Sequence, residues 1–229
     1  MRNYTAKKYK KLVERTKDPI FQSWEKTERN IIAKVKNSKN KTFIDLGAGY
    51  GRVLPNLAKI AKNVISIEIN PAMIGELKRR AKQYKNATVI EGDIQKLLKL
   101  LKKENVKNPV LLLTQNTLGT IEGDYKKVLS EMKAVAKKYK GEVIISLFRQ
   151  EALNNWGIKF YFAIKGMVGE PDLEKTDFGK GLFVSKAGYT SKWWTSAERK
   201  EIKDYFGGEV INEIQTPHFW IIHISQTRF

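Results

Sequence analysis

The residues best spaced to do chemistry lie in Phe43-Ile-Asp-Leu-Gly-Ala-Gly-Tyr-Gly51. An apolar run of strand length carries Asp45 near its end and passes into glycines at 47, 49 and 51. Such glycines let the backbone turn sharply and approach a ligand with no Cβ in the way. A helix starting directly behind the turn offers unpaired amides to polar ligand atoms. A dinucleotide site of the form G-x-G-x-x-G would require a third glycine at position 52, where this chain has Arg52. The spacing here is G-x-G-x-G instead. Other chemistries lack their residues. The chain has no cysteine, which removes disulfides, thiolate metal sites and thiol nucleophiles. Its two histidines, His218 and His223, are too few for a histidine-rich metal centre, and no metal is expected.

The glycine pattern resembles that of class I S-adenosylmethionine-dependent methyltransferases, over about residues 42–148. That resemblance implies S-adenosylmethionine as cofactor, with Gly47, Ala48, Gly49 and Gly51 forming its loop and Asp45 near the methionine amino group. It also implies that Glu68, in Ile67-Glu-Ile-Asn70, bridges the two ribose hydroxyls, both of which can donate to one carboxylate. Asp93, in Glu91-Gly-Asp-Ile94, would accept from the adenine amino group, while Ile69 and Ile94 sandwich the ring. Taken alone, Asp93 reads equally well as a helix cap. Aminopropyl transferases share the fold but carry a more acidic glycine loop and an aspartate near the fourth strand. Thr114-Gln-Asn-Thr-Leu-Gly119 holds no carboxylate there, so methyl transfer fits better.

These residues need a frame to hold them. Short apolar runs at about 42–46, 64–68, 88–90, 110–114 and 142–147 alternate with amphipathic stretches at about 52–61, 71–84, 94–103 and 125–139. That alternation predicts a parallel sheet covered by helices. Pro71 suits a first helical turn, and Asp93 and Asp124 suit N-caps. Thr195-Ser-Ala-Glu198 is a capping box opening a helix to Phe206. Runs at 209–215 and 218–225, joined through Thr216-Pro217, predict an antiparallel hairpin. The expected fold is α/β: a seven-stranded Rossmann-like methyltransferase sheet, mostly parallel with a C-terminal antiparallel hairpin, and helices on both faces. The whole chain, 1–229, reads as one domain, with a helical extension over 1–40 and a substrate lid over 149–195.

Methyl transfer is an in-line displacement, so the protein mainly aligns a lone pair and excludes water. By the resemblance, the end of the fourth strand faces the methyl group. Gln115 would contact the cofactor through its backbone, and Asn116 would meet cofactor or substrate. The alternative is that Asn116 and Gly119 only shape the turn. The Asn/Asp-Pro-Pro-aromatic motif of base-amine methylation is absent, and the lack of cysteine argues against forming 5-methylcytosine. No catalytic residue is assigned. A histidine base at His218 or His223 competes with an ordinary hydrogen-bonded strand histidine.

The lid is rich in rings, among them Tyr161 and Trp193, which could form a cage or simply the lid's own core. Tyr161, Trp193 and Arg149, the last for an anionic group, are the candidate substrate contacts. The net charge of +19 is spread along nearly every helix, which suits a lysine-coated surface as well as a polyanion partner. The expectation is therefore a cytoplasmic methyltransferase for a nitrogen or oxygen atom of a small molecule. An RNA or protein substrate, suggested by the charge, is the alternative; a non-catalytic nucleic-acid-binding protein on the same fold is the third. No membrane partner is expected, since no apolar run reaches spanning length.

Overall fold

Five of the apolar runs lie side by side in a computed structural model that describes residues 17–226. They are β1 (Thr42–Leu46), β2 (Asn63–Glu68), β3 (Ala87–Glu91), β4 (Val110–Leu113) and β5 (Glu142–Phe148), and every pairing among them is parallel. A separate antiparallel pair, β6 (Leu182–Val184) and β7 (Thr190–Lys192), lies in the lid segment. The closing hairpin, β8 (Glu209–Gln215) and β9 (Phe219–Ser225), then completes the main sheet in the order β3-β2-β1-β4-β5-β9-β8. β9 runs antiparallel to both β5 and β8.

Burial follows sheet position. β1, β4, β5 and β9 are buried along their whole length, as continuous apolar strands covered on both faces must be. β3 and β8, at the edges, are only partly covered. On one face pack α1 (Pro19–Ala33), α2 (Leu54–Ile60), α3 (Pro71–Ala81) and the lid. The other face takes α4 (Leu97–Leu100), α5 (Tyr125–Lys138) and, after the lid's α6 (Ile158–Ala163) and α7 (Lys165–Val168), α8 (Ser196–Phe206). Because β1 sits between β2 and β4, the chain leaves it in one direction and β4 in the other, which opens a crevice at their C-terminal ends.

The caps fall where side-chain chemistry puts them. The side chains of Asp18, Asn70 and Asp124 accept from first-turn amides of α1, α3 and α5, and Thr195 and Glu198 close a reciprocal capping box on α8. Two expectations need adjustment. The helix expected over 94–103 is broken: 3₁₀ turns at Ile94–Lys96 and Leu101–Lys103 flank the four-residue α4. There the Leu98 N–H is drawn to the Glu131 carboxylate of α5, 2.8 Å away. The N-terminal extension is helical over Pro19–Ala33, whereas its part over residues 1–16 lies outside the described residues. Within 149–195, Gly157 serves close packing, since a Cβ there would lie 2.6 Å from the Trp193 ring.

Candidate active site

The crevice above β1 and β4 opens into a cavity of about 540 Å³ that runs from the glycine loop to the rings of α1 and the lid. At the loop end, Gly47, Ala48 and Gly49 line it, and Gly49 has φ +56° with open space where a Cβ would project. Gly51 does not line it; its φ of +83° serves the turn into α2. Ile69 follows β2 with 60% of its surface exposed, opposite the buried Ile94. An exposed isoleucine beside a cavity leaves apolar area available to a ligand. Asp93 lines the same end, with one oxygen capping the next turn through the Gln95 N–H at 2.9 Å. Asp93 therefore caps, and its second oxygen accepts the Gln95 side-chain amide at 3.5 Å.

Glu68, at the end of β2, accepts three backbone N–H groups: Gly49 at 2.7 Å, Ile69 at 2.9 Å and Asn70 at 2.8 Å. The carboxylate thus ties the glycine loop to the β2 turn, and with both sites on Oε1 taken, one lone pair on Oε2 remains for a further donor. Asp45 is buried, with one carboxyl oxygen lacking any hydrogen-bond partner. Burial pushes its pKa up to about 7, against the pull of Arg52 and with the help of Glu68 and Glu28.

The wall opposite the loop comes from α1, whose role the sequence reading does not assign. Phe21, Trp24, Glu28, Ile31 and Ile32 form its buried stripe. A carboxylate within an apolar stripe is the signal that could have found it. Glu28 bonds Arg52 at 2.8 Å, accepts the Gln115 N–H at 2.7 Å and accepts the Ser146 hydroxyl. Glu25 takes the other arm of Arg52 at 3.1 Å and the Gln115 side-chain amide at 3.2 Å. Burial raises the Glu25 pKa, opposed by Arg52 and Arg29. Helix α1 is thus fastened to the glycine turn, to the end of β4 and to β5.

The remaining candidates divide. Gln115 lines the cavity, but its backbone N–H is committed to Glu28. Asn116 turns away from the cavity in the left-handed region at φ +52°. Its amide donates to Ser191 Oγ and the Lys192 carbonyl, while its oxygen accepts from the Phe148 N–H and the Trp194 indole. With all four bonds made inside the protein, it has none for cofactor or substrate, so the turn-shaping alternative describes it. Gly119 belongs to the same turn, since a Cβ there would meet the Lys192 carbonyl at 2.2 Å. Tyr161 lines the cavity and accepts from Trp193 Nε1 at 3.0 Å.

Trp193 itself is fully buried away from the cavity, stacked on Phe148 at 4.5 Å, because its large ring fills the lid's core. Arg149 donates to the Thr216 carbonyl at 2.8 Å and lies over the Trp220 ring, pointing away from the cavity rather than at an anionic substrate. Neither histidine lines it. His223 bonds Glu142 at 2.7 Å toward the opposite end of the sheet; burial raises the Glu142 pKa, but hydrogen bonds from His223 and Lys41 outweigh it and hold it low. Among the described residues no acidic or histidine cluster could hold a metal, and no helix is long and apolar enough to cross a membrane.

The chain is similar over 68 residues to ribosomal RNA small subunit methyltransferase A of Lysinibacillus sphaericus, at 34% identity, covering 30% of this chain and 23% of that protein. It spans about a quarter of the length of the curated relatives it matches. Its fold is similar to a SAM-dependent methyltransferase from Aquifex aeolicus, with TM-score 0.61 at 18% identity over 97% of this chain and 99% of that one. It is also similar to the Burkholderia thailandensis 1,6-didemethyltoxoflavin-N1-methyltransferase, with TM-score 0.55 at 12% identity over 99% and 92%. The profile of the family described as "Methyltransferase domain" matches residues 37–172, from before β1 into the lid. The chain belongs to that family, the class I S-adenosylmethionine-dependent methyltransferases.

Proposed function

We propose that this enzyme methylates a nitrogen or oxygen atom of a small molecule. The observation that carries the reading is the cavity: about 540 Å³, continuous with the glycine loop and closed over by rings from α1 and α6. That volume falls in the range of small-molecule sites. Rings that exclude water also suit a displacement in which a solvated nucleophile would be sluggish.

The cofactor fits the residues present on three independent counts. Gly49 leaves open space, Ile69 presents uncovered apolar surface, and Asp45 has a buried oxygen without a partner. Bound S-adenosylmethionine supplies an electrophilic methyl group on a sulfonium. Asp45 would hold the methionine ammonium, Glu68 the ribose hydroxyls and Asp93 the adenine amine, with Ile69 and Ile94 covering the ring. Arg52, paired with Glu25 and Glu28, keeps the loop and α1 in fixed relation, so the acceptor's lone pair is aligned by a rigid wall.

A second reading, methylation of RNA, is favoured by the +19 charge and by the similarity to ribosomal RNA methyltransferases. Two features weigh against it: the β4 end reads Gln115-Asn-Thr-Leu118 without the proline–aromatic motif, and Lys and Arg are dispersed. Incubating the protein with tritiated methyl donor and either a metabolite extract or total RNA tests the choice. Label is expected in the small-molecule fraction. Label confined to RNA would overturn the proposal.

A further inference from the structure

We infer that the acceptor half of the cavity receives an uncharged ring system presenting a hydrogen-bond acceptor to the Trp24 indole N–H. The inference rests on the methyltransferase reading above and goes further by assigning the chemical class of the acceptor. Its first support is the continuity of the wall. Phe21 stacks on Phe160 at 5.4 Å and meets Trp24 edge-on at 5.6 Å. Trp24 in turn packs on Phe148 at 4.3 Å, and Phe160 touches Tyr161 at 5.7 Å. All five line the cavity, so a bound molecule meets ring surface from α1, β5 and α6 together. Flat, polarizable surface of that extent favours a flat ligand.

Charge supplies the second support. Among the described residues, Arg52 is the one lysine or arginine lining the cavity, and its guanidinium is held by Glu25 and Glu28. The acidic lining residues are Asp45, Glu68, Asp93 and Glu122. Beyond the cofactor, whose carboxylate arrives with its own ammonium, a second carboxylate or phosphate would lose water without gaining a counter-charge, which is strongly unfavourable. The rings alone would tolerate an alkylammonium, but a protonated amine has no lone pair to take a methyl group.

Trp24 decides between the remaining classes. It lines the cavity at 1% exposure, and its indole nitrogen has no hydrogen-bond partner. A buried donor without a partner is an unfavourable state that a ligand acceptor atom relieves. It also disfavours a cation, which would face the positive end of the N–H dipole. A carbonyl oxygen or a ring nitrogen satisfies it. A base within a polynucleotide is likewise uncharged, yet its flanking phosphates would have to approach this acidic lining, so a free molecule is favoured.

The test uses the full chain saturated with S-adenosylhomocysteine, with binding of that nucleoside measured first by calorimetry. Quinoline, uncharged at pH 8, and quinoline-4-carboxylate are then titrated by saturation-transfer NMR. Quinoline is expected to bind, and the carboxylate to bind at least about tenfold more weakly. Trp24→Phe keeps the ring and removes the N–H; it should weaken quinoline about fivefold, with nucleoside affinity reporting that the variant is folded. Equal or tighter binding of the carboxylate, an unchanged quinoline affinity in Trp24→Phe, or no quinoline binding at all would each overturn the inference while leaving the methyltransferase reading intact. Failure of the nucleoside itself to bind would overturn that reading instead.

Discussion

Replacing Asp45 by asparagine should stabilise the ligand-free chain while weakening its hold on the cofactor. The Asp45 carboxyl is buried and titrates near 7 in place of its ordinary 3.8, because burial penalises the ionised form. The folded state therefore holds this proton more tightly than the unfolded state. The penalty is absent below pH 3.8, grows as pH rises toward 7, and is complete above it. A separation of roughly three pH units corresponds to about 4 kcal/mol at alkaline pH. At pH 5 only about 1–2 kcal/mol of it has accrued. Asparagine fills the same space without titrating, so its advantage over the native chain should grow by about 2–3 kcal/mol between pH 5 and pH 8. In a chain of this size that is a widening of the Tm difference by about 5–10 °C, read by thermal unfolding without ligand. The same substitution removes the charge proposed to hold the methionine ammonium, so S-adenosylhomocysteine affinity should fall. In the native protein it should fall about tenfold per pH unit below 7. A Tm difference that is the same at both pH values would refute the desolvation account, and native affinity in the variant would refute the role given to Asp45.

Three further substitutions separate the residues that face the cofactor from those that do not. Gly49→Val should abolish nucleoside binding in calorimetry, because its side chain would enter the open cavity; the positive φ should also lower stability by about 1–2 kcal/mol. Glu68→Ala should weaken nucleoside affinity by about 1–3 kcal/mol and lower Tm as well, since three backbone N–H groups lose their acceptor. Asn116→Ala should leave nucleoside affinity near native but destabilise the fold by about 2–4 kcal/mol in denaturant titration, because it strands the Trp194 indole and the Phe148 amide.

Much of the parallel core is legible in the sequence because its strands are buried on both faces and read as unbroken apolar runs. Val110-Leu-Leu-Leu113 and Val143-Ile-Ile145 admit few other assignments. The proposed cofactor end rests on local features: a glycine turn, two strand-end carboxylates and two isoleucines each sit within a few residues of a strand terminus, and Gly47, Gly49, Glu68, Ile69, Asp93 and Ile94 line one cavity. The acceptor end is not local. Asn116 looks like a ligand contact until Phe148, Ser191 and Trp194 are brought around it, and those partners lie up to 78 residues away. Arg149 looks available for an anion until the hairpin closes Thr216 and Trp220 against it. A polar residue beside a site can be recognised from its type, but whether its bonds are already taken depends on segments distant in sequence.

Glu28 marks the one place where such a long-range commitment does leave a local trace. An amphipathic helix places residues three, four and seven apart on one face, and here that face runs Phe21, Trp24, Glu28, Ile31, Ile32. A carboxylate buried at such a position must find a cation and hydrogen-bond donors, or it would unfold the helix from its support. Arg52, directly behind the glycine turn, is the partner it finds, and the same carboxylate also takes the amide that follows β4. One buried charge thus couples the glycine loop proposed to receive the nucleoside to the helix proposed to wall the acceptor. Glu28→Ala would take from Arg52 its more deeply buried carboxylate partner, and losing one partner of such a buried pair typically costs about 3–5 kcal/mol. The helix that carries Phe21 and Trp24 would then lose its fixed distance from the methyl donor, which makes the ion pair a condition for alignment as much as for stability.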